Sequence, residues 1–332
     1  MRVLVTGGAG YIGSHVVKAL RAAGHEVAVL DNLSRGHRQA VAGVPLFQAD
    51  LLDRPALDWL FANHPVEAVL HFAALSQVGE SQKLPGKYAL NNVAGTVTLL
   101  EAMVAAGCRT LVFSSTAAVY GAPETMPITE DYPLEPTNTY GETKLFVERM
   151  LRRFDEAYGL RSIALRYFNA AGADPEGELG EDHDPETHLI PLTLAAALGQ
   201  RPAIEVFGTD YPTSDGTCVR DYIHVTDLAE AHLLALVALA GGAPTTAYNL
   251  GNGRGFSVRE VIAAAERVTG RSIPVREGPR RPGDPPALVA SSARAEAELG
   301  WRPRYGELET IIQTAWEWHR THPQGYGKDG PR

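Results

Sequence analysis

The feature that most constrains the fold is a glycine-rich turn near the start of the chain. An apolar run at residues 2–6 is followed by GGAGYIG at residues 7–13 and then by a helical pattern up to Ala23. A second apolar run, residues 27–30, ends at Asp31. Glycines at this spacing permit a tight turn, a close approach of the backbone to a pyrophosphate, and close packing of helix on strand. The pattern therefore predicts a βαβ unit that binds a dinucleotide at the N-terminus of its helix.

The acid at the end of the second strand predicts which dinucleotide binds. Asp31 can accept hydrogen bonds from both ribose hydroxyls of an adenosine. Because its carboxylate would repel a 2′-phosphate, we expect NAD rather than NADP. Asp50, at the end of the next predicted strand, could hold the adenine. The pattern also leaves open that Asp50 only ends a strand or caps a helix.

Apolar runs and helical patterns alternate through the first half of the chain, which is typical of a parallel α/β sheet. Further apolar runs occur at residues 44–48, 68–72, 110–113 and 162–167. We therefore predict an α/β protein with a Rossmann-like, doubly wound parallel sheet and a smaller C-terminal α/β substrate domain. Ligands of such sheets bind beyond the carboxyl ends of the strands. The residues that follow each strand are therefore the candidates for the site.

The amino-acid composition changes near residue 170, because residues 172–187 form a loop rich in Gly, Asp, Glu and Pro. We predict that residues 1–172 form the NAD-binding domain and that residues 173–332 form mainly the substrate-binding domain. The chain is free to recross between the two. From about Pro323 we expect a loose tail.

Charge and composition narrow the class of partner. The net charge of −9 at pH 7 argues against nucleic acid or an anionic membrane as the principal partner. Two cysteines are too few for a disulfide scaffold, and no long uncharged apolar run predicts a membrane span. The first predicted strand begins at residue 2, which leaves no room for a signal peptide. We therefore expect a cytoplasmic protein that acts on a small molecule, without a metal site.

A second group of polar residues lies at the start of a predicted helix. Tyr140 and Lys144 are four residues apart, so a helix places the phenol and the ammonium group on one face. A phenol has a pKa of about 10, and a cation about 5 Å away favours the phenolate by roughly 3 kcal/mol at an effective dielectric constant near 20. Lys144, together with a positively charged nicotinamide ring, would make Tyr140 a usable acid/base near neutral pH. Thr116, at the end of the preceding strand, could share the proton.

These motifs carry a family resemblance. The turn at residues 7–13 and the Tyr140/Lys144 pair resemble the extended short-chain dehydrogenase/reductase family, in its sugar-nucleotide branch. The resemblance covers almost the whole chain, and the motifs of its second part are similar to those of UDP-hexose 4-epimerases. The other matching segments are HFAA (71–74), GES (79–81), NNVAGT (91–96), FSSTAAVYG (113–121), RYFN (166–169), DYPT (210–213), DGT (215–217), VRDYIHV (219–225) and RRPGD (280–284).

The resemblance implies an isomerase that interconverts UDP-glucose and UDP-galactose through a transient 4-keto sugar with tightly bound NAD. It also implies weaker activity on UDP-N-acetylhexosamines and a homodimer. The catalytic residues that it implies are Tyr140, Lys144 and Thr116. The implied cofactor-binding residues are Gly7, Gly10, Tyr11, Ile12, Gly13, Asp31, Asn32, Asp50, Leu51, Phe72, Ala73, Asn91, Ser114, Tyr140, Lys144, Tyr167 and Phe168. The implied substrate-binding residues are Thr116, Tyr140, Asn169, His188, Leu189, Phe207, Arg220, Arg281, Asp284 and Leu288.

The implied substrate residues have distinct roles. Asn169 would hold the substrate near its phosphate, and Arg220 and Arg281 would clamp the diphosphate, a task that guanidinium forks suit. Asp284 would bind the uridine ribose, and Leu288 would border the hexose. The remaining three would line the nucleotide pocket: His188, Leu189 and Phe207.

Two other functions compete with this interpretation. A nucleotide-sugar 4,6-dehydratase needs an additional acid after the strand-end hydroxyl, but Thr116 is followed by Ala117 and Ala118. A non-catalytic NAD(H) sensor on the same fold has no need of the Tyr140/Lys144 pair. Both rivals are therefore disfavoured.

Overall fold

A computed structural model describes residues 1–281 and 284–327. Its strands, in chain order, are β1 (Arg2–Thr6), β2 (Glu26–Asp31), β3 (Leu46–Gln48), β4 (Ala68–His71), β5 (Thr110–Thr116), β6 (Arg161–Tyr167), β7 (Asn169–Ala171), β8 (Ile204–Phe207), β9 (Val219–His224), β10 (Thr246–Leu250), β11 (Gly255–Ser257), β12 (Val275–Gly278) and β13 (Ala287–Leu288). Its α-helices are α1 (Tyr11–Ala22), α2 (Arg54–Asn63), α3 (Val78–Lys83), α4 (Pro85–Tyr88), α5 (Gly95–Ala105), α6 (Thr139–Tyr158), α7 (Leu189–Ala197), α8 (Val225–Ala240), α9 (Val258–Thr269), α10 (Ala293–Leu299) and α11 (Leu308–Thr321).

The central sheet has seven parallel strands in the order β10-β6-β5-β4-β1-β2-β3. Strands such as β4 and β5 are buried on both faces, which explains why they read as continuous apolar runs rather than as alternating patterns. One apolar core packs α1 and α8 on one face, and a second core packs α2, α5 and α6 on the other. The prediction of a doubly wound, Rossmann-like α/β sheet is confirmed.

The second part of the chain builds two smaller sheets. In one of them β9 is central: it pairs with β11 on one edge and with β13 and β7 on the other. The other consists of β8 and β12. A third apolar core lies among α7, α9 and α11.

The chain beyond residue 172 contributes to both halves of the molecule. β10 adds an edge strand to the central sheet beside β6, and α8 packs on that sheet with α1. The division at residue 172 stays a prediction, because these two elements lie with the first half of the chain.

The pattern of residues 88–106 predicts one long helix, and the chain is helical over residues 85–105, with a π-helical turn, Ala89–Ala94, between α4 and α5. One local expectation was wrong. The predicted loose tail from Pro323 is docked as far as it is described, because the Tyr326 ring stacks on His37 at 5.0 Å between centroids. Its hydroxyl also accepts a hydrogen bond from the Gly180 N–H at 3.1 Å. In the described ranges, no helix is both long and apolar enough to cross a membrane.

Candidate active site

The turn between β1 and α1 has the geometry of a pyrophosphate cradle. Gly7 has φ of +71°, and a Cβ there would lie 2.4 Å from the Ala73 nitrogen. A Cβ on Gly13 would lie 2.3 Å from the Gly7 oxygen, so both positions require glycine. At Gly10, by contrast, an added Cβ would meet only the Gly7 oxygen, at 3.4 Å. Because α1 begins at Tyr11, the N–H groups of its first turn have no acceptor inside the helix and are free for an anion.

Asp31 ends β2 beside this turn. Its carboxylate accepts hydrogen bonds from the backbone N–H of Ala9 at 3.0 Å and of Leu33 at 2.8 Å. Burial raises the pKa of Asp31, and these backbone hydrogen bonds oppose the shift. Each carboxylate oxygen keeps acceptor capacity, which suits the pair of ribose hydroxyls. The Asp31 carboxylate as acceptor and the N–H groups at the start of α1 as donors therefore fit an NAD molecule at this edge of the sheet.

The neighbouring polar residues form a short chain of hydrogen bonds. The Asn32 amide donates to Asp50 at 2.9 Å, and Asp50 also accepts from the Leu52 N–H at 2.9 Å. The cap of α2 is Asp53, which accepts from Ala56, so Asp50 does not cap that helix. Leu51 has its side chain in the apolar core.

Other predicted cofactor residues lie at the ends of β4, β5 and β6. Phe72 and Ala73 follow β4, and both backbone N–H groups donate to the Thr6 carbonyl. The Ser114 hydroxyl and the Tyr167 phenol are hydrogen-bonded to each other across β5 and β6. Phe168 follows directly after β6. The carboxyl ends of three adjacent strands thus bring these residues to one edge.

Tyr140 and Lys144 lie in the first turns of α6, which is capped by the Asn138 side chain. The Lys144 ammonium donates to the Ser114 carbonyl at 2.7 Å. It lies 5.9 Å from the centroid of the Tyr140 ring and 4.8 Å from that of Phe113. The predicted pairing of phenol and ammonium on one helix face is therefore present at the end of β5.

Burial dominates the electrostatics of this pair. It raises the pKa of Tyr140 to about 12, and a hydrogen bond from Thr116 opposes the shift. It lowers the pKa of Lys144 to about 7, and the negative charge of Glu148 opposes that shift. Tyr140 is thus neutral near pH 7 while Lys144 remains partly protonated, and a further positive charge beside the phenol is needed to make Tyr140 a base.

A buried polar network lies behind the pair. Glu148, four residues after Lys144 on α6, accepts from the Ser115 hydroxyl at 2.5 Å. It also forms a two-point ion pair with Arg166, at 3.0 and 2.5 Å. Arg166 donates further to the Tyr120 phenol at 2.8 Å. Glu148 and Arg166 are only 4% and 2% exposed, so the network fixes the strand end that carries Thr116.

The sequence analysis missed this network. The available signal was the position of Glu148 at i+4 from Lys144, on the same helix face. Asn92 was missed as well: its side chain, not that of Asn91, bridges the Leu75 backbone and Thr143. Asn91 donates to the Asn92 side chain at 2.9 Å.

His15 and His71, which could look catalytic in isolation, pack inside the fold. His71 lies between the hydroxyls of Thr6 at 2.6 Å and Thr96 at 2.8 Å. Burial, with a smaller contribution from Lys144, lowers the pKa of His71 to about 3. His71 is therefore neutral at any working pH and supports β1 and β4.

Apart from Thr116 and Tyr140, the predicted substrate residues lie on strands of the smaller sheets, between β12 and β13, and at the start of α7. Arg220 on β9 forms an ion pair with Asp284, and the Arg281 guanidinium lies 3.9 Å from the centroid of the Phe207 ring. Asn169 donates to the Asp221 carbonyl at 3.0 Å. The motif that contains Arg281 and Asp284 also includes residues 282–283, which lie outside the described residues.

The remaining three substrate candidates occupy two places. Leu288, on β13, packs against a small apolar cluster around Val119 and Tyr120. His188 occupies the N-cap position of α7, and its Nδ1 atom lies 2.5 Å from a Glu181 carboxylate oxygen. Leu189, the first residue of α7, packs against the third apolar core.

A model of the NAD dependent epimerase/dehydratase family matches residues 3–251. The chain belongs to this family. Membership in the NAD dependent epimerase/dehydratase family confirms the predicted resemblance and the prediction of an enzyme that uses NAD.

Individual members of the family are similar over the full length. The UDP-glucose 4-epimerase of Halalkalibacterium halodurans is 54% identical over 329 residues, which are 99% of this chain and 98% of that protein. The UDP-glucose 4-epimerase of Streptomyces lividans is 54% identical over 331 residues, 99% of each chain. The crystal structure of UDP-glucose 4-epimerase from Brucella ovis in complex with NAD is 51% identical and superposes with a TM-score of 0.93, covering 95% of this chain and 97% of that one.

Proposed function

We propose that the protein is a UDP-glucose 4-epimerase, which interconverts UDP-galactose and UDP-glucose by inverting C4 of the hexose. The observation that carries the proposal is the Tyr140/Lys144 pair at the end of β5, beside a turn that fits NAD. The motifs of the second half and the full-length similarity to UDP-glucose 4-epimerases support the choice of substrate.

Bound at the turn between β1 and α1, NAD supplies acceptance and return of a hydride at C4. The N–H groups at the start of α1 hold the pyrophosphate, and Asp31 holds the adenosine ribose. Lys144 binds the nicotinamide ribose and keeps positive charge beside the phenol. A nicotinamide cation adds to that charge and offsets the effect of burial on Tyr140.

The proton moves at the Tyr140 phenol. Tyr140 takes the proton from the 4-hydroxyl as C4 is oxidised, and Thr116 shares the hydrogen bond. The 4-keto sugar turns over in the pocket, and Tyr140 returns the proton to the oxygen as C4 is reduced on its other face. Each half of the cycle restores the protonation state that the other half requires.

The substrate is anchored away from the reacting atoms. Arg220 and Arg281 bind the diphosphate, and Asp284 binds the uridine ribose. The Arg220–Asp284 ion pair keeps these two groups together, so that the guanidinium and the carboxylate are pre-positioned for adjacent parts of one nucleotide. Anchoring through the nucleotide leaves the hexose free to rotate, which the reaction requires.

The test is conversion of UDP-sugars by the purified protein. UDP-galactose and UDP-glucose are incubated separately, with and without added NAD, and the products are separated by anion-exchange chromatography. We expect both reactions to reach the same mixture. Tyr158→Phe, which alters an exposed tyrosine of the same helix, should match the wild type, and Tyr140→Phe should not. Absence of conversion with NAD present, or a 4-keto-6-deoxy product, would overturn the proposal.

We also propose that the protein is cytoplasmic and forms a homodimer. Exposed apolar side chains support an interface: Leu90 is 61% exposed in the π-helical turn, and Phe146 is 45% exposed on the adjacent α6. Sedimentation velocity should give a mass twice that of one chain. A monomer at micromolar concentration would contradict the dimer.

A further inference from the structure

One segment, residues 172–188 between β7 and α7, contacts both the first half of the chain and α11, and it carries a cluster of metal-ligating side chains. The His37 ring of the first half is hydrogen-bonded to the Asp182 carbonyl at 3.0 Å. The Trp318 indole of α11 donates to the Glu181 carbonyl at 3.3 Å. Four of the segment's side chains each offer one ligand atom, and these atoms all lie within 4.8 Å of one another. They form the His/Glu cluster: Glu181, His183, Glu186 and His188.

The spacing of these atoms approaches that of a tetrahedral metal site. The His183 Nδ1 atom lies 3.1 Å from a Glu181 oxygen and 3.5 Å from a Glu186 oxygen. The His188 Nδ1 atom lies 2.5 and 3.3 Å from oxygens of the same two residues. Ligands about 2.0–2.2 Å from a tetrahedral zinc ion are about 3.3 Å apart. The three longer separations are close to that value, whereas the His188 Nδ1 atom and the Glu181 oxygen are in direct hydrogen-bond contact and must separate to about 3.3 Å to share an ion.

Without an ion, the same arrangement needs protons in its centre. Both imidazoles must donate from Nδ1, and both donors converge on Glu181, which is 4% exposed. A divalent cation replaces these protons and leaves each imidazole as a neutral nitrogen ligand, the form that binds metal. The His188 side chain is 54% exposed, so an ion can enter from solvent.

A nearby acidic group shows the contrast. Asp174, Glu176 and Glu178 also bring carboxylates together, but Lys18 lies among them at 2.7, 2.7 and 2.9 Å. Its ammonium group supplies the positive charge. Among the described residues, no lysine or arginine forms an ion pair with the His/Glu cluster.

We propose that the His/Glu cluster binds one divalent transition-metal ion, of which zinc suits the ligand set. Nitrogen and carboxylate donors in tetrahedral array favour zinc over magnesium, which prefers six oxygen ligands. All four positions of the site are filled by protein, so the ion is structural. The ion holds the segment in place between the first half of the chain and α11. The spacing E-x-H-x-x-E-x-H was present in the sequence, where we expected no metal.

The experiment uses the full chain without a histidine tag. The protein is treated with chelator, desalted, and titrated with Zn²⁺ by calorimetry, and retained metal is counted by elemental analysis after a second desalting. We expect one zinc per chain, no comparable binding of Mg²⁺, and a rise in melting temperature with zinc. Co²⁺ in place of zinc should give the intense visible absorption of a tetrahedral site.

Two ligand variants and one matched variant test the assignment. His183→Gln and Glu186→Gln should each weaken zinc binding by roughly a hundredfold or more, since even residues that only support ligands change affinity 10- to 100-fold. Glu178→Gln, an acid of the same segment paired with Lys18, should bind zinc like the wild type. Circular dichroism verifies folding. The proposal fails if the wild type retains no stoichiometric zinc, or if both ligand variants bind as tightly as Glu178→Gln. Neither readout uses turnover, so the result is independent of the proposed activity.

Discussion

The two ends of the candidate active site are built differently. At the reacting end, Tyr140 and Lys144 lie on one long helix, and the buried Glu148–Arg166 pair fixes the adjacent strand end. At the nucleotide end, charged side chains from separate short elements pair with one another, as Arg220 does with Asp284. The first arrangement holds a few atoms rigidly, whereas the second provides charge that a ligand can engage. Substitutions at the reacting end should therefore change kcat, and those at the nucleotide end should change KM.

The largest expected effect is that of Tyr140→Phe. It removes the proposed proton acceptor and keeps the ring, so kcat should fall by roughly 10²- to 10⁴-fold, the usual range for general acid–base catalysis. The KM for UDP-galactose should change little. Steady-state kinetics measure both constants. Near-normal kcat in a folded variant would contradict the role of Tyr140 as proton acceptor and the contrast between the two ends.

Next in size is the loss of Glu148. Glu148→Ala leaves the Arg166 charge buried without an opposite charge, which should lower the free energy of unfolding by about 3–5 kcal/mol. The matched control is Glu156→Ala on the same helix, whose ion pair with Arg153 is exposed and should matter by less than about 1 kcal/mol. Urea denaturation compares the two variants. Equal losses would show that the reacting end is no more rigidly built than the surface.

A smaller effect is expected at the nucleotide end. Arg220→Lys keeps the charge but loses the planar fork that suits a diphosphate. One lost charge-assisted hydrogen bond corresponds to roughly tenfold or more in affinity, so KM should rise by that factor while kcat stays within about twofold. A fall in kcat with unchanged KM would reverse the comparison.

The smallest effect concerns which hexose fits. Leu288 pairs with Arg220 in the β13–β9 register and, like Phe168, packs against the apolar cluster that contains Tyr120. An apolar pocket discriminates by only about 1–3 kcal/mol per methylene-sized difference, so the wild type should act on UDP-N-acetylglucosamine more weakly than on UDP-glucose. Leu288→Tyr should depress the acetylated activity selectively.

The measurement for Leu288 is kcat/KM on both sugar pairs. Leu288→Met, a change that conserves volume, serves as the control and should leave the ratio of the two activities unchanged. If Leu288→Tyr reduced both activities equally, Leu288 would be a packing residue and not a gate.

The sequence predicted the central sheet well because its strands are buried on both faces and stand out as apolar runs. It did not indicate how contacts between distant residues alter a local element. The π-helical turn within the predicted helix contains Asn92, whose side chain bonds the Leu75 backbone and Thr143. No local pattern reports those partners.

In the candidate site, too, some residues were predictable from local spacing and others were not. The residues of the turn at 7–13 and the Tyr140/Lys144 pair follow local spacing rules and were predictable. The Tyr120–Asn249 hydrogen bond joins residues 129 positions apart, and the Glu148–Arg166 pair joins a helix to a strand. Such pairings depend on the finished topology, so the sequence alone could not specify them.

The return of β10 to the central sheet has a consequence for synthesis on the ribosome. β6 emerges early, but its outer edge has no partner strand until Leu250 has left the exit tunnel. During that interval the five positions of β6 that pair with β10, residues 163–167, present unpaired backbone groups that invite pairing with another nascent chain. A fragment cut after residue 172 would keep that edge open permanently. Expression of the dinucleotide-binding half alone should therefore be limited by aggregation, and the natural unit for production and engineering is the whole chain.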